Sequence, residues 1–309
     1  MGIIARKYQT EFVCRYDKAV GVPYYSADDF KGLKQEKGVF INTSNIETHY
    51  FFYYYDNYKT DKLVLFCPGI GPGHTAYLRE IEYFAKKGYK VLTLDYAGTG
   101  ESKGEILNTL NGPTRDVIDL LNLLNIKEPI VLVGHSLGGY TSLNLMALRK
   151  DIKKAVVISG FLTVGSLLQT FTNSRFITHF LVRYEKKTLP QYSKIDVLNY
   201  LKTTDDDLLF FHSVDDPMVK YSISMKVVEQ IDNSHIETVK YLNKKHNPQY
   251  TEAALEYMNE VFGKYNRLSA SKNITSDEER IAYFKDVSLD RVTELDEKVM
   301  GKIIAFIEK

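Results

Sequence analysis

The stretch Ile130-Val131-Leu132-Val133-Gly134-His135-Ser136-Leu137-Gly138-Gly139 limits what this chain can become more than any other. Its first four residues are apolar and mostly β-branched, which reads as a buried strand. They run straight into Gly-x-Ser-x-Gly with a second glycine behind it. Tyr140 to Arg149 then places Leu145, Met146 and Leu148 among good helix formers. A turn this sharp between strand and helix forces the serine into strained backbone angles, and its neighbours must be small for helix and strand to approach. In that context Gly-x-Ser-x-Gly presents a serine hydroxyl at the end of a sheet; without it the motif says little.

The rest of the chain supplies a sheet for this turn to sit on. Lys37 to Asn42 and Thr48 to Tyr55 predict a hairpin around the turn chemistry of Asn42 to Asn45. Buried strands are expected at Leu63–Cys67, Val91–Leu94, Ala155–Ser159 and Leu208–Phe211, with a last one at Ile236–Tyr241. Between them, Leu78, Ile81 and Ala85 mark one face of a helix that Gly88 stops. Val117, Leu120, Leu121 and Leu124 mark a second helix, and Val299, Ile303, Ile304 and Ile307 a terminal one over 295–307. Strands separated by helices of this length pair in parallel through right-handed crossovers. Residues 161–206 break the rhythm. They carry no strand signal, and Leu167, Leu168, Phe171, Phe176, Phe180 and Leu181 suggest helices inserted over one end of the sheet. Residues 1–36 show no clear period and read as an N-terminal extension packed on the core. Ser269 to Glu279 reads as a loop or weakly ordered excursion. There is no internal repeat.

Charge and composition exclude several partners. Forty basic against thirty-nine acidic residues leave a formal charge of +1, which offers no electrostatic footprint for nucleic acid or an anionic membrane. The aromatic run Tyr50 to Tyr55 is therefore read as two faces of a strand and not as a platform for stacked bases. Two cysteines, Cys14 and Cys67, are too few for a disulfide framework, and Cys67 reads as a small buried hydrophobe. No signal peptide, myristoylation signal or membrane span is recognised, so a cytoplasmic protein without integral membrane association is expected. Asp205 to Asp207 and Asp215-Asp216 read as solvated loop charge, since no histidine stands at ligand spacing; no metal and no cofactor are expected. Gly98-Thr99-Gly100 follows a strand, but Lys103 stands where a dinucleotide fingerprint needs its third glycine, and no P-loop exists.

A serine hydroxyl needs a base to take its proton and an acid to steer that base. The acid is sought at a later strand end, in Phe211 to Val219, where Asp216 is preferred over Asp215 because it directly precedes Pro217. The base is His246, on the polar loop Leu242 to Pro248, where rigid sheets hold catalytic groups. His49, His135, His179, His212 and His235 are read as structural. For His74, just behind the Gly69–Gly73 turn, a structural role is favoured, with lining of the pocket as the alternative. An oxyanion needs backbone donors. Leu137 N–H follows the nucleophile, and the second donor is assigned to Ile70, with Gly71 as the fallback.

Taken together, these motifs resemble the α/β-hydrolase superfamily of esterases, lipases and serine aminopeptidase-like enzymes. Pro68-Gly69-Ile70-Gly71 is similar to its His-Gly-x-Gly oxyanion turn, with Pro68 in place of the histidine. Asp95 to Ser102 is similar to its Asp-x-x-Gly-x-Gly-x-Ser loop, and Gly134 to Gly139 to its elbow. The likeness covers about residues 37–250 plus the terminal helix. It implies an α/β-hydrolase fold: a mostly parallel eight-stranded sheet flanked by helices, with the core in residues 37–160 and 207–309. It also implies that 161–206 form a small helical lid over a pocket lined by Leu162, Leu167, Phe171 and Phe180. The expected function is a serine hydrolase working on a small, apolar ester through an acyl-enzyme. An acyltransferase and a non-catalytic sensor are the alternatives on the same fold. The span 250–294 is longer than the resemblance accounts for, and neither its purpose nor the oligomeric state is legible.

Overall fold

A computed structural model describes residues 2–59 and 61–309. Met1 and Thr60, inside the expected extension and core, lie outside the described residues. The chain opens with helix α1 (Ile3–Glu11) and crosses to strands β1 (Lys34–Ile41) and β2 (Glu47–Tyr54). It continues through β3 (Leu63–Cys67), α2 (Leu78–Lys86), β4 (Lys90–Leu94), α3 (Gly112–Leu124), β5 (Ile130–His135), α4 (Leu137–Leu148) and β6 (Lys154–Ile158). Three helices follow without a strand: α5 (Val164–Thr172), α6 (Arg175–Thr188) and α7 (Val197–Thr203). The chain then returns to the sheet with β7 (Asp207–Ser213), short α8 (Met225–Val228) and β8 (Ile236–Tyr241). It closes with α9 (Glu252–Ala270), α10 (Asp277–Phe284), α11 (Leu289–Val292) and α12 (Glu297–Glu308).

The eight strands form one sheet in the order β1-β2-β4-β3-β5-β6-β7-β8. Strand β2 runs antiparallel to both its neighbours, and from β4 to β8 all pairing is parallel. The apolar runs of β3 to β7 are buried on both faces, as a parallel sheet covered by helices requires, whereas the last expected strand, β8 at the sheet edge, has no fully buried residue. Side chains along β3 to β7 still alternate. Leu63, Leu65, Ile130, Leu132, Leu208 and Phe210 join one core layer with Leu121 of α3, Leu143 of α4 and Leu201 of α7. Val64, Phe66, Val131, Val133, Leu209 and Phe211 join the other, against Ile81 and Phe84 of α2 and Ile303 and Phe306 of α12. Helix α4 is buried at every position from Leu137 to Met146, so the residue that precedes it is anchored from all sides.

Strand order reverses at β3, which lies between β4 and β5 while the chain visits β3 first. In open α/β sheets the crevice beyond the carboxyl ends of such strands is where ligands sit. The turns after β3 and β5 meet there. Cys67, the last residue of β3, is in register with Gly134.

Two segments that were opaque in the sequence carry helices. Residues 2–36 include α1, which packs on α6: Tyr8 donates to Glu185 Oε1 at 2.7 Å and Gln9 to the Tyr184 hydroxyl at 2.7 Å. The span 250–294 is three helices. Thr251 caps α9, accepting from Ala254 N. Ser276 and Glu279 form a reciprocal capping box that starts α10 inside the stretch expected to be a loop.

Candidate active site

Ser136 sits at the junction of β5 and α4 with φ 56° and ψ −116°, a conformation that costs a non-glycine residue about 1–3 kcal/mol. The surroundings hold it there. Its N–H donates to Ile158 O at 2.8 Å, across to the end of β6. Two glycines make the approach possible. A Cβ on Gly138 would stand 1.8 Å from the Cys67 carbonyl oxygen, so only glycine lets α4 press onto the end of β3. A Cβ on Gly69 would lie 3.3 Å from Ser136 Cβ, which measures how closely the turn after β3 borders the serine. Leu137 begins α4, so its N–H has no acceptor within the helix. Ile70 and Leu137 border the same cavity as Ser136.

The loops that carry the expected acid, Asp216, and the expected base, His246, follow β7 and β8. Asp216 Oδ1 accepts from Met218 N at 2.8 Å and Val219 N at 2.9 Å, leaving Oδ2 to accept from His246 Nδ1 at 2.8 Å. The Asp216 side chain is fully covered, while His246 keeps 16% of its side chain exposed. With Nδ1 carrying the proton toward Asp216, a neutral His246 ring presents Nε2 as an acceptor. Asp215, the alternative acid, has different work. It accepts from Ser213 Oγ at 2.6 Å and Lys245 N at 3.0 Å, and pairs with Lys245 Nζ at 2.8 Å, tying the two loops together. Lys244 fastens the other flank: its buried ammonium donates to Tyr250 O and Asp296 Oδ2, both at 2.7 Å. His212 Nε2 donates to Val219 O at 2.8 Å and lies 3.5 Å from Asp216 Oδ2. Burial keeps its pKa low, against the pull of Asp216.

Ser136 and His246 open on one cavity of about 490 Å³. Of the expected lining, Leu167 and Phe171 of α5 are on its wall. His74, Leu162 and Phe180 are not. His74 is buried because it braces the turn: its N–H and Nδ1 meet Asp95 Oδ1 at 2.7 and 2.8 Å, Nε2 meets the Tyr53 hydroxyl at 2.8 Å, and its ring stacks on Phe51. Burial opposes the Asp95 charge, yet His74 and the N–H groups of His74 and Glu101 hold its pKa below the usual carboxylate range. Leu162 turns inward to the core with Leu168. Phe180 faces outward on α6, and the nearest atom to a Cβ on Gly2 would be its ring carbon, 3.8 Å away. The walls that sequence reasoning missed are Phe12 and Tyr16, which arrive from the N-terminal segment, and Met218 and Val219, beside the acid. The last two were inferable, since they directly follow Asp216-Pro217. Nothing local in residues 1–36 signals a place on this cavity, because that place depends on where the chain is carried by α1 and α6.

Cys67 is buried and its thiol is pushed up to about 12 by burial, in keeping with a core residue. Asp206 is buried and not solvated as expected: it pairs with Lys153 at 2.7 Å and accepts from the Tyr200 hydroxyl at 2.8 Å. Among the described residues no helix is long and apolar enough to cross a membrane.

Known proteins share this frame. The family described as serine aminopeptidase, S33, matches residues 58–194, from before β3 to beyond α6. The chain is 20% identical over 208 residues to the 2-hydroxy-6-oxo-6-(2'-aminophenyl)hexa-2,4-dienoic acid hydrolase of Metapseudomonas resinovorans, covering 67% of this chain and 65% of the relative. It is 26% identical over 195 residues to the mitochondrial palmitoyl-protein thioesterase ABHD10 of Homo sapiens, covering 54% of this chain and 62% of that one. In both cases the match spans less than two thirds of the relative's own length. Among solved structures, a Pyrococcus furiosus esterase aligns with TM-score 0.56 at 20% identity, over 74% of this chain and 88% of its own. The mouse alpha/beta hydrolase domain-containing protein 10 aligns with TM-score 0.54 at 19% identity, over 68% and 90%. At such identity these structures speak to the fold alone. With its sheet order and these neighbours, the chain has the α/β-hydrolase fold, and its residues 58–194 match the serine aminopeptidase family.

Proposed function

We propose that this hydrolase cleaves small carboxylic esters with an apolar acyl or alcohol group through a Ser136–His246–Asp216 triad. The observation that carries the reading is convergence on one cavity of three groups. They are a serine held at φ 56°, an imidazole whose Nδ1 is engaged by a fully covered carboxylate, and the first N–H of a buried helix. Ser136 Oγ attacks the ester carbonyl while its proton passes to His246 Nε2. Ile70 and Leu137 N–H groups receive the negative oxygen that forms. His246 returns the proton to the leaving alcohol, and water then repeats the cycle on the acyl-enzyme. Asp216 holds His246 in the tautomer that leaves Nε2 free and stabilises its charge once protonated. Helices α5 to α7 act as a lid, and Phe12, Leu167 and Phe171 favour an apolar substrate.

Fluorophosphonate labelling tests the reading, combined with turnover of p-nitrophenyl esters of rising chain length. The expected result is labelling and turnover in the wild type, both lost in Ser136→Ala. A wild type that is neither labelled nor active overturns the assignment. Labelling with acyl transfer to added alcohols in preference to water assigns the acyl-enzyme to an acyltransferase instead.

A further inference from the structure

We propose that His135, the variable residue of the elbow, is a positioning residue that holds the base loop and couples it to the oxyanion turn. This role rests on the reading of Ser136 and His246 given above. His135 Nε2 lies 2.9 Å from the carbonyl oxygen of His246. A carbonyl only accepts, so Nε2 carries the hydrogen and donates to the main chain of the base itself. In a neutral ring Nδ1 is then an acceptor, and the Tyr77 hydroxyl stands 2.9 Å from it, positioned to donate. The Tyr77 oxygen in turn packs on Gly69 of the oxyanion turn, where a Cβ would be 2.5 Å from it. The imidazoles of His135 and His246 also lie tilted against each other, with centroids 4.8 Å apart and planes at 57°. A buried relay thus runs from the turn after β3, through the elbow after β5, to the loop after β8.

The protonation state suits the task. Burial first, then the neighbouring His246, pushes the His135 pKa down to about 3, so the ring stays neutral and its donor and acceptor sides do not exchange across the working range. Asp215 and Lys244 fix residues on the N-terminal side of His246. Of the bonds to this loop, the His135 contact is the one made to the His246 main chain from the nucleophile's own turn. Without it a carbonyl beside the catalytic ring loses its donor, and the imidazole gains freedom to tilt away from Ser136. Displacements near 1 Å at a reacting group lower rates on the order of 100-fold.

The test compares His135→Phe, His135→Gln and Tyr77→Phe with wild type, using p-nitrophenyl ester kinetics, fluorophosphonate labelling rates and thermal unfolding. His135→Phe keeps the ring volume and removes both hydrogen bonds; kcat and labelling rate should fall on the order of 10- to 100-fold with KM nearly unchanged. His135→Gln restores an N–H donor toward the His246 carbonyl and should recover most of that loss. Tyr77→Phe should fall in the same direction, and the Tyr77→Phe/His135→Phe double variant should be no slower than His135→Phe alone, because the two act through one relay. Nitrogen NMR of wild type should show His135 as a neutral, Nε2-protonated ring from pH 5 to 9. A folded His135→Phe with wild-type kcat, a loss confined to KM, or an Nδ1-protonated His135 overturns the role. Where His135→Phe fails to fold, Tyr77→Phe and the NMR tautomer decide it. Wild type that is labelled while the variants are unaffected sinks this role alone; wild type that is neither labelled nor active sinks the proposed function with it.

Discussion

At Asp216 the two carboxylate oxygens are divided between two tasks, and that division makes a sharp test. Oδ1 is occupied by the N–H groups of Met218 and Val219, which shape the turn, and Oδ2 by His246 Nδ1. In Asp216→Asn the amide oxygen can keep the turn, which leaves the NH₂ facing His246. That donor forces Nδ1 to accept and moves the ring hydrogen to Nε2, the wrong tautomer for a base. With Asp216 as the acid of the proposed triad, the variant should fold as wild type while kcat falls on the order of 10³- to 10⁴-fold. Steady-state kinetics beside thermal unfolding check it; a near-normal kcat would remove Asp216 from the machinery. Phe12 gives the companion test for substrate. It borders the cavity from outside the expected lid and meets Phe171 edge-on at 5.1 Å. Phe12→Ala should enlarge that wall and shift the ester chain-length optimum upward without lowering kcat on the shortest esters.

A buried carboxylate, Glu185, ties helix α6 to α1 and to the residues just before α3, and a pH dependence follows. Glu185 is 1% exposed and receives Tyr8 of α1 at 2.7 Å, Leu110 N at 3.0 Å and Asn111 Nδ2 at 3.0 Å. Burial raises its pKa from 4.5 to about 7, the three donors only partly offsetting it. The sign follows from which state holds the proton longer. As pH rises from 4.5 toward 7 the unfolded chain releases this proton before the folded one does, so the group's contribution to stability declines across that window and is level above it. The decline amounts to a few kcal/mol at most, at about 1.4 kcal/mol per unit. Thermal midpoints of wild type minus those of Glu185→Gln should therefore fall between pH 4.5 and 7. A flat difference curve would mean that Glu185 does not titrate there. The elements joined here also mark the limit of sequence reading. Strands β3 to β7 were legible as apolar runs because both faces of a parallel sheet are buried, and the elbow was legible because its glycines serve a local geometry. Helix α1 was not legible, since its period is weak and its partners, Tyr184 and Glu185, lie more than 170 positions away. The excursion over 269–279 was only half legible: residues 271–276 do form a loop, but the polar side chains beside it start α10 as caps, Glu279 accepting from Ser276 N at 3.0 Å. His135 was placed as structural, and its two bonds require the folded positions of Tyr77 and His246.

Over the whole molecule, the chemistry proposed at one end of the sheet is tied to the helix that closes the chain. Asp296 caps α12, its Oδ1 accepting from Lys298 N at 2.9 Å and Val299 N at 3.4 Å, while Oδ2 receives the Lys244 ammonium at 2.7 Å. Helix α12 covers one face of the sheet through Val299, Ile303 and Phe306, so this carboxylate joins the core layer beneath the sheet to the loop that carries His246. Lys244 is 4% exposed, and an ammonium that deep is costly without a charged partner. The two jobs separate in two variants. Asp296→Asn keeps an oxygen for the helix N-terminus and loses the charge opposite Lys244; Asp296→Ala loses both. Asparagine should cost about 1–3 kcal/mol from the weakened charge-assisted bond. Alanine should cost about a further 1 kcal/mol from the missing cap. If Lys244 positions the base loop, kcat falls in both variants to a similar extent while stability differs between them. Denaturant unfolding and ester kinetics on the pair would show it. Stability losses with kcat unchanged would mean that Lys244 anchors the fold without placing His246, leaving Asp215, Asp216 and His135 to hold the base.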